Sequence, residues 1–483
     1  MPIRPHQQRA LHSGALTCPL GLMAVKMRTI VDAMTHSATV AVPKPAPPVE
    51  RANAVINKVD GADKAFHDWY RFVLSFPPHL VRDYVDRFDL APGQTLLDPF
   101  SGTGTTVLEA KLNGIDGIGL EANPMAHFAG VTKTTWNSSP GALRRAADKV
   151  ADAALQALRP LGLAEEVLNP VKSEPSQKIL RALLTLPPEA DALLLKRSIS
   201  PIPLHKALVL RGAIDTIAPP KLRGMMRLAL ARELVSSISN LHFGPEVGVR
   251  GYKTDVPAVV AWRGRVEIMA DDLERAPELP VAESRIALAD ARSMTQHLEP
   301  ASIDCVFTSP PYPNEKDYTR TTRLESVVLG FIHNKPELRA LKKSLLRSNT
   351  RGVYKGDDDD ALVSGFQSVQ TIAQEIERRR IAMNKTSGFE RMYARVTKLY
   401  FGGMARHLAE LRPFLKPGAR LGYVVGDQAS YLQVMIRTGQ LLAEIAGSLG
   451  YRVDNIDLFR TRLATATKEQ IREEVLVLTW PGK

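Results

Sequence analysis

Two cysteines in 483 residues, Cys18 and Cys305, are too few for a disulfide scaffold or a cysteine-rich zinc site. The chain lacks any run of 18 or more apolar residues, which excludes a membrane-spanning helix of ordinary length. Its most apolar early stretch, LTCPLGLMAV, is short and broken by Pro19; no export signal is read there, and a cytoplasmic location is expected. No metal-ligand spacing, nuclease motif, helicase motif or internal repeat is visible. Acidic residues are in deficit, 51 Asp plus Glu against 63 Lys plus Arg, and the net charge of +12 suits a polyanionic partner without identifying one. Apolar residues make up 44%, enough for a packed core in one large domain with insertions or in two to three domains.

Residues 1–55 show no sustained period and end in the proline-rich AVPKPAPPVE, which reads as a tail or linker in which Met23 or Met27 could be the true start. Regular patterning begins with FHDWYRFVLSFPPHLVRDYVDRF, where Leu80, Val81, Tyr84, Val85 and Phe88 share one side of a helix after Pro78. QTLLDPF reads as a strand, TTVLEAKLNG as a helix stopped by Gly114, and GIGLEAN as the next strand, together a βαβ unit. A long stretch that is mostly helical follows, with a mixed pattern over 248–274, before strands return in SRIALADARSM and DCVFT. A second helical stretch contains the run Asp357 to Asp360, read as a solvated loop. A helix at 402–412, a strand at 420–426, a helix at 435–449 and a strand at 474–480 complete the pattern. This alternation predicts an α/β fold, a mostly parallel sheet flanked by helices and carrying two large, mainly helical insertions. The sheet domain takes 56–137, 281–333 and 401–483; the insertions are 138–280 and 334–400.

Two segments carry chemistry. In Asp98-Pro99-Phe100-Ser101-Gly102-Thr103-Gly104-Thr105-Thr106, glycines allow a tight turn beside a ligand, and backbone N–H groups at the following helix start can meet a carboxylate. Asp98 can accept from a ligand ammonium. The spacing fits neither GxxxxGK[ST] nor, except loosely, GxGxxG. Glu121, ending the next strand, can accept two ribose hydroxyl hydrogen bonds. Asp290 ends a further strand and either accepts from an adenine amino group or caps a helix. Phe76 and Pro77 supply a rigid apolar wall or simply core packing.

The second segment, Thr308-Ser309-Pro310-Pro311-Tyr312, follows a buried strand. Consecutive prolines restrict the backbone, so that the Ser309 hydroxyl and the Pro310 carbonyl are held as acceptors. Two acceptors can pull the hydrogens of an exocyclic base amine out of conjugation and turn its lone pair outward, with orientation and fixed dipoles supplying the rate. Tyr312 offers a face for a base rotated out of a duplex. Attack at cytosine C5 would need a thiolate, whereas Cys305 sits inside DCVFT as a core side chain. Deamination would need a His/Cys metal cluster.

The trio Asp98, Glu121 and Asp290 beside DPFxGxGTT resembles the DNA amino-methyltransferases, which modify adenine N6 or cytosine N4. The resemblance covers about 66–137, 284–333 and 395–480. It implies a Rossmann-like fold and S-adenosylmethionine as cofactor, with the methionine end on DPFSGTGTT, the ribose on Glu121, adenine at Asp290, and Ser75 to Val81 closing the methionine pocket. It also implies catalysis at Ser309, Pro310, Pro311 and Tyr312, without metal. Its SPPY form is associated with cytosine N4, and Asp or Asn at the first position mostly with adenine N6. Double-stranded DNA is the implied partner, and a separately encoded restriction endonuclease a possible one.

For DNA contacts, Lys316, Arg320 and Arg323 lie just past SPPY, and Arg378, Arg379, Arg380, Lys385, Arg391 and Arg395 form a basic stretch with Phe389, Tyr393 and Tyr400. A solvated helix face with aromatics behind it is the plainer reading of that stretch. Arg460-Thr461-Arg462 could line the base pocket. An adenine-N6 enzyme, an RNA amino-methyltransferase and a non-catalytic DNA-binding regulator stay open as alternatives.

Overall fold

The computed structural model describes residues 61–70, 75–165, 176–243, 247–463 and 470–482. The proline-rich tail and Cys18 lie outside them. The short apolar runs form the buried strands β1 (Thr95–Asp98) and β2 (Asp116–Glu121), and a small antiparallel pair follows, β3 (Leu241–Phe243) with β4 (Val247–Val249). Then come β5 (Ser284–Leu288), β6 (Ile303–Thr308), β7 (Leu415–Gly426), β8 (Arg452–Leu463) and β9 (Gln470–Thr479). Seven strands make one sheet in the order β5-β2-β1-β6-β7-β9-β8. All pairings from β5 to β7 are parallel, and β9 runs antiparallel between β7 and β8. Strand order reverses beside β1. The carboxyl ends of β1 and β6 therefore adjoin at a topological switch point, the crevice where open α/β sheets take ligands.

Leu96, Leu97, Cys305, Val306 and Phe307 are buried, as expected of parallel strands covered on both faces. Burial pushes the Cys305 thiol far up, consistent with a core side chain. The covering helices include α1 (Pro78–Arg87), α2 (Thr105–Leu112) and α3 (Pro124–Thr134). Leu80, Val81, Tyr84 and Val85 form the buried face of α1, and Asn123 caps α3 by accepting from the Met125 N–H.

The first insertion is a helical layer of α4 (Pro140–Leu158), α5 (Pro201–Ile217), α6 (Pro220–Glu233) and α7 (Ala258–Arg275), with further short helices. Leu143, Val150, Leu210, Ile214, Leu230 and Trp262 share one apolar core with Leu108 of α2 and Met125 of α3. The segment 248–274, read as mixed, starts at the end of β4, passes through 250–257 without a helix and ends in one. That helix is α7, whose Val259, Trp262, Val266, Met269 and Leu273 are buried at helical spacing.

The second insertion includes α8 (Gln367–Ala382) and leads into α9 (Tyr393–Leu411). α9 starts well before 402, so the boundary at 400 falls inside a helix. The aspartate run is not a solvated loop. Asp357 pairs with Arg347 at 2.9 Å, Asp358 with Arg406 at 3.2 Å, and buried Asp359 with Arg292 and Arg406, each at 2.9 Å. Last come α10 (Thr438–Ser448) and β8, a strand the pattern does not announce. β8 is a sheet edge, and its RVDNIDLFRTRL mixes charge with apolar residues as edges do.

Candidate active site

Asp98 ends β1 and is 1% exposed. Its Oδ1 accepts from the Phe100 N–H at 3.1 Å and from the Thr308 hydroxyl at 2.6 Å. Oδ2 is buried without a hydrogen-bond partner, as is Ser101 Oγ. The adjoining ends of β1 and β6 are thus joined by one hydrogen bond between the two sequence motifs. Gly102 and Gly104 both have positive φ, +52° and +79°. A Cβ on Gly104 would also lie 3.1 Å from the Gly130 Cα, so glycine serves both the turn and the close approach of α3. Thr103, Thr105 and Thr106 are buried behind the turn, with Pro99 beneath it and Phe100 edge-on to His407.

The Gly102 N–H donates to Glu121 Oε2 and the Asn123 N–H to Oε1, each at 2.7 Å, which fixes the carboxylate at the end of β2 against the turn. Burial pushes Asp98 up to about 6 against the hydrogen bond from Thr308, and Glu121 up to about 7 against those from Asn123 and Gly102. An ammonium at Asp98 and hydroxyl donors at Glu121 would stabilise the ionised forms. The orphaned Asp98 Oδ2 and the glycine turn therefore fit an amino-acid-bearing nucleoside. Phe76 packs edge-on to Phe307 at 5.9 Å between centroids, and Pro77 precedes α1.

Asp290 does not cap a helix, since none follows it. Its Oδ1 accepts from the Arg292 N–H at 2.9 Å and from Arg292 Nε at 3.0 Å, and Oδ2 from Arg292 Nη2 at 2.7 Å. Three of its roughly four acceptor positions are taken, leaving one for an amino group. Sequence reasoning missed His407 of α9, which steadies this loop. Burial lowers its imidazole to about 4, so it is neutral at pH 7. Nδ1 lies 2.8 Å from the Ala291 carbonyl, which can only accept; Nδ1 carries the hydrogen, and Nε2 accepts from the Tyr423 hydroxyl at 2.8 Å.

Beyond β6, the Ser309 hydroxyl donates to the Val424 carbonyl of β7 at 3.2 Å. A hydroxyl has one hydrogen, so with that hydrogen on the Val424 carbonyl, Oγ can otherwise only accept, and the Tyr312 side chain stands within its reach. The Tyr312 N–H donates to the Tyr318 hydroxyl at 3.1 Å, and Pro310 is buried beside the half-buried Pro311. The Tyr312 ring lies against Gly426, where a Cβ would come within 2.9 Å of Cε2. Gly426 is a second residue that sequence reasoning missed. Asp427, next in chain, is buried and pairs with Arg437, and Glu473 pairs with Arg460.

Most of the basic candidates already hold partners. Arg323 donates to the Thr319 carbonyl and hydroxyl and to the Leu193 carbonyl, tying the first insertion to the segment after SPPY. Arg378 and Arg379 pair with Glu375, Arg380 with Glu377, Lys385 with Glu390, and Arg395 with the Asp357 carbonyl. The pairs of Arg378 and Lys385 are exposed and of little net stability, so a phosphate could displace them, whereas Arg379 also donates to the Leu432 and Gln433 carbonyls and Arg380, its side chain 17% exposed, to the Lys385 carbonyl. Lys316 and Arg320 stand closest in chain to the acceptor loop. Among the described residues no group of three or more His, Cys, Asp or Glu could hold a metal ion, and no helix is long and apolar enough to cross a membrane.

The profile of a family described as DNA methylase matches residues 54–128, which include β1, the glycine turn and β2. The type II methyltransferase M.BsoBI of Geobacillus stearothermophilus is 24% identical over 446 residues, 84% of this chain and 82% of that protein. Type II methyltransferase M.AvaI of Nostoc sp. is 28% identical over 175 residues, 34% of each chain. Among solved structures, TrmN from Thermus thermophilus aligns over 86% of this chain and 52% of its own, at 13% identity and a TM-score of 0.25, too slight a likeness to argue from. The chain is thus matched by the S-adenosylmethionine-dependent DNA N6/N4 methyltransferase family, through its profile over residues 54–128 and through distant type II relatives.

Proposed function

We propose that this protein methylates the exocyclic N4 amine of cytosine in double-stranded DNA, using S-adenosylmethionine. The observation that carries the reading is the pairing of two half-sites at one switch point, through the Thr308–Asp98 hydrogen bond. Bound there, S-adenosylmethionine supplies an electrophilic methyl group. Asp98 would hold its ammonium, Glu121 its ribose hydroxyls, and the last acceptor position of Asp290 its adenine amine. Ser309 Oγ, with its hydrogen committed to Val424, and the Pro310 carbonyl accept the two amine hydrogens of the target base. Tyr312, braced by Gly426, stacks on that base once it is rotated out of the duplex. Transfer is direct, with no covalent bond between enzyme and base: the N4–methyl bond would form as the sulfonium–methyl bond breaks, leaving the thioether S-adenosylhomocysteine, and the amine would release one of its two hydrogens to solvent as a proton.

Serine at the first SPPY position favours cytosine over adenine. Lys316, Arg320 and the Arg378–Arg380 row supply phosphate contacts. The type II naming of both relatives supports a role beside a separately encoded restriction endonuclease. The test is mass spectrometry of nucleosides from unmodified DNA incubated with protein and isotopically labelled cofactor. Labelled N4-methylcytosine is expected. Labelled N6-methyladenine would overturn the cytosine assignment, and unlabelled DNA with confirmed cofactor binding would overturn the DNA assignment and direct the assay to RNA.

A further inference from the structure

Helix α3 carries a charge that neither motif accounts for. Lys133, in its last turn, is 1% exposed. Among the described residues its Nζ makes one hydrogen bond, a long one of 3.5 Å to Thr103 Oγ1, and no described carboxylate forms an ion pair with it. Asp68 is the acid whose charge reaches it, and burial outweighs that help, lowering the amine to about 7. Glu109, the other acid in this quarter, is divided between His67 at 2.7 Å and Arg82 at 2.9 Å. An ammonium buried without an anion is costly and is retained where something else needs it.

Its surroundings say what. Thr103 lies in the glycine turn immediately before Gly104 and α2, whose eight residues begin with N–H groups that no side chain caps. Lys133 Nζ donates to Thr103 Oγ1, so the hydroxyl's own hydrogen is left for another acceptor. Cation, hydroxyl hydrogen and helix start together make an anion site. The buried, unpartnered Asp98 Oδ2 lies at the other end of the same short turn and suits a cation. An α-amino acid carries both charges on one carbon.

Resting on the methyl-donor reading above, we propose that Lys133 is the counter-ion of the cofactor's methionine carboxylate and sets a preference for carboxylate-bearing adenosyl ligands. The experiment is calorimetric titration of the full chain with S-adenosylmethionine and with its decarboxylated form, before and after Lys133→Met. Wild type should prefer the carboxylated ligand. The variant should bind it about 10- to 100-fold more weakly, the worth of a charge-assisted hydrogen bond, while the decarboxylated ligand changes by less than about threefold. Removing a buried charge that pairs with no described carboxylate should leave the ligand-free melting temperature equal or higher. A lysine that merely supports the fold gives the opposite signature, a lower melting temperature and equal loss of both ligands, and that result would overturn the assignment. So would an unchanged preference. Lys133→Gln is read by the same criteria should the methionine variant not fold. If wild type binds neither ligand, the methyl-donor reading itself falls; if it binds both and Lys133→Met leaves the preference intact, only the role of Lys133 does.

Discussion

At the scale of single residues, the two half-sites make separable demands. On the function proposed above, Ser309→Ala removes an acceptor from the target amine and leaves the cofactor turn untouched. We expect methyl transfer to fall about 100-fold, the usual loss for one preorganised polar group, with cofactor affinity within about threefold in calorimetry. Gly426→Ala should mimic part of that loss by displacing the Tyr312 ring, without removing any acceptor. Asp98 and Glu121 give a pH signature. Their folded-state values, about 6 and about 7, lie above those of unfolded carboxylates, so the folded chain holds the extra protons between the ordinary carboxylate range and about pH 7. Stability without cofactor therefore falls as pH rises through that window. Asp98→Asn should melt higher than wild type at pH 8 and show a smaller gap at pH 5; an equal gap at both would reject the burial account of Asp98.

At the scale of elements, what sequence patterning can read is what lies close along the chain. β1, the glycine turn, α2 and β2 are contiguous, and each needs particular residue types, so both motifs and the parallel core were legible. β8 was not, because an edge strand need not alternate. His407 was not, because its partner Ala291 lies 116 residues away. The aspartate run looked solvated because charge usually is; the guanidiniums that bury Asp359 come from two distant segments. That docking explains Gly402 and Gly403 in the middle of α9. A Cβ on Gly402 would lie 1.8 Å from the Asp359 carbonyl oxygen, and one on Gly403 2.4 Å from Leu346 Cδ1. Gly→Ala within a helix ordinarily stabilises by about 1 kcal/mol. Here the sign reverses, and Gly402→Ala should destabilise by about 1–3 kcal/mol or more in denaturant unfolding, the cost of overpacking. An increase in stability would mean that the run does not dock on α9.

At the scale of the whole molecule, a net charge of +12 favours association with a polyanion without giving sequence preference. If the Arg378–Arg380 row exchanges its glutamates for phosphates, glutamines at all three positions should lower DNA affinity on every sequence. The slope of log affinity against log salt should shrink by about 0.9 for each phosphate no longer neutralised. An unchanged slope would return that helix face to solvent. The insertions do more than decorate the sheet. Asp272 of α7 accepts from the Phe66 N–H at 3.0 Å and Trp69 Nε1 at 2.8 Å, so the first insertion anchors the segment leading to the expected wall of the methionine pocket. The Thr308 hydroxyl has the more direct effect. Its single hydrogen is committed to Asp98 while its backbone opens the SPPY loop, so if the proposed cofactor and base sites both load that bond, occupancy of one would bias the other. Linkage then requires reciprocity: whatever factor the cofactor exerts on DNA affinity, DNA exerts on the cofactor's, and Thr308→Val should bring both factors toward one.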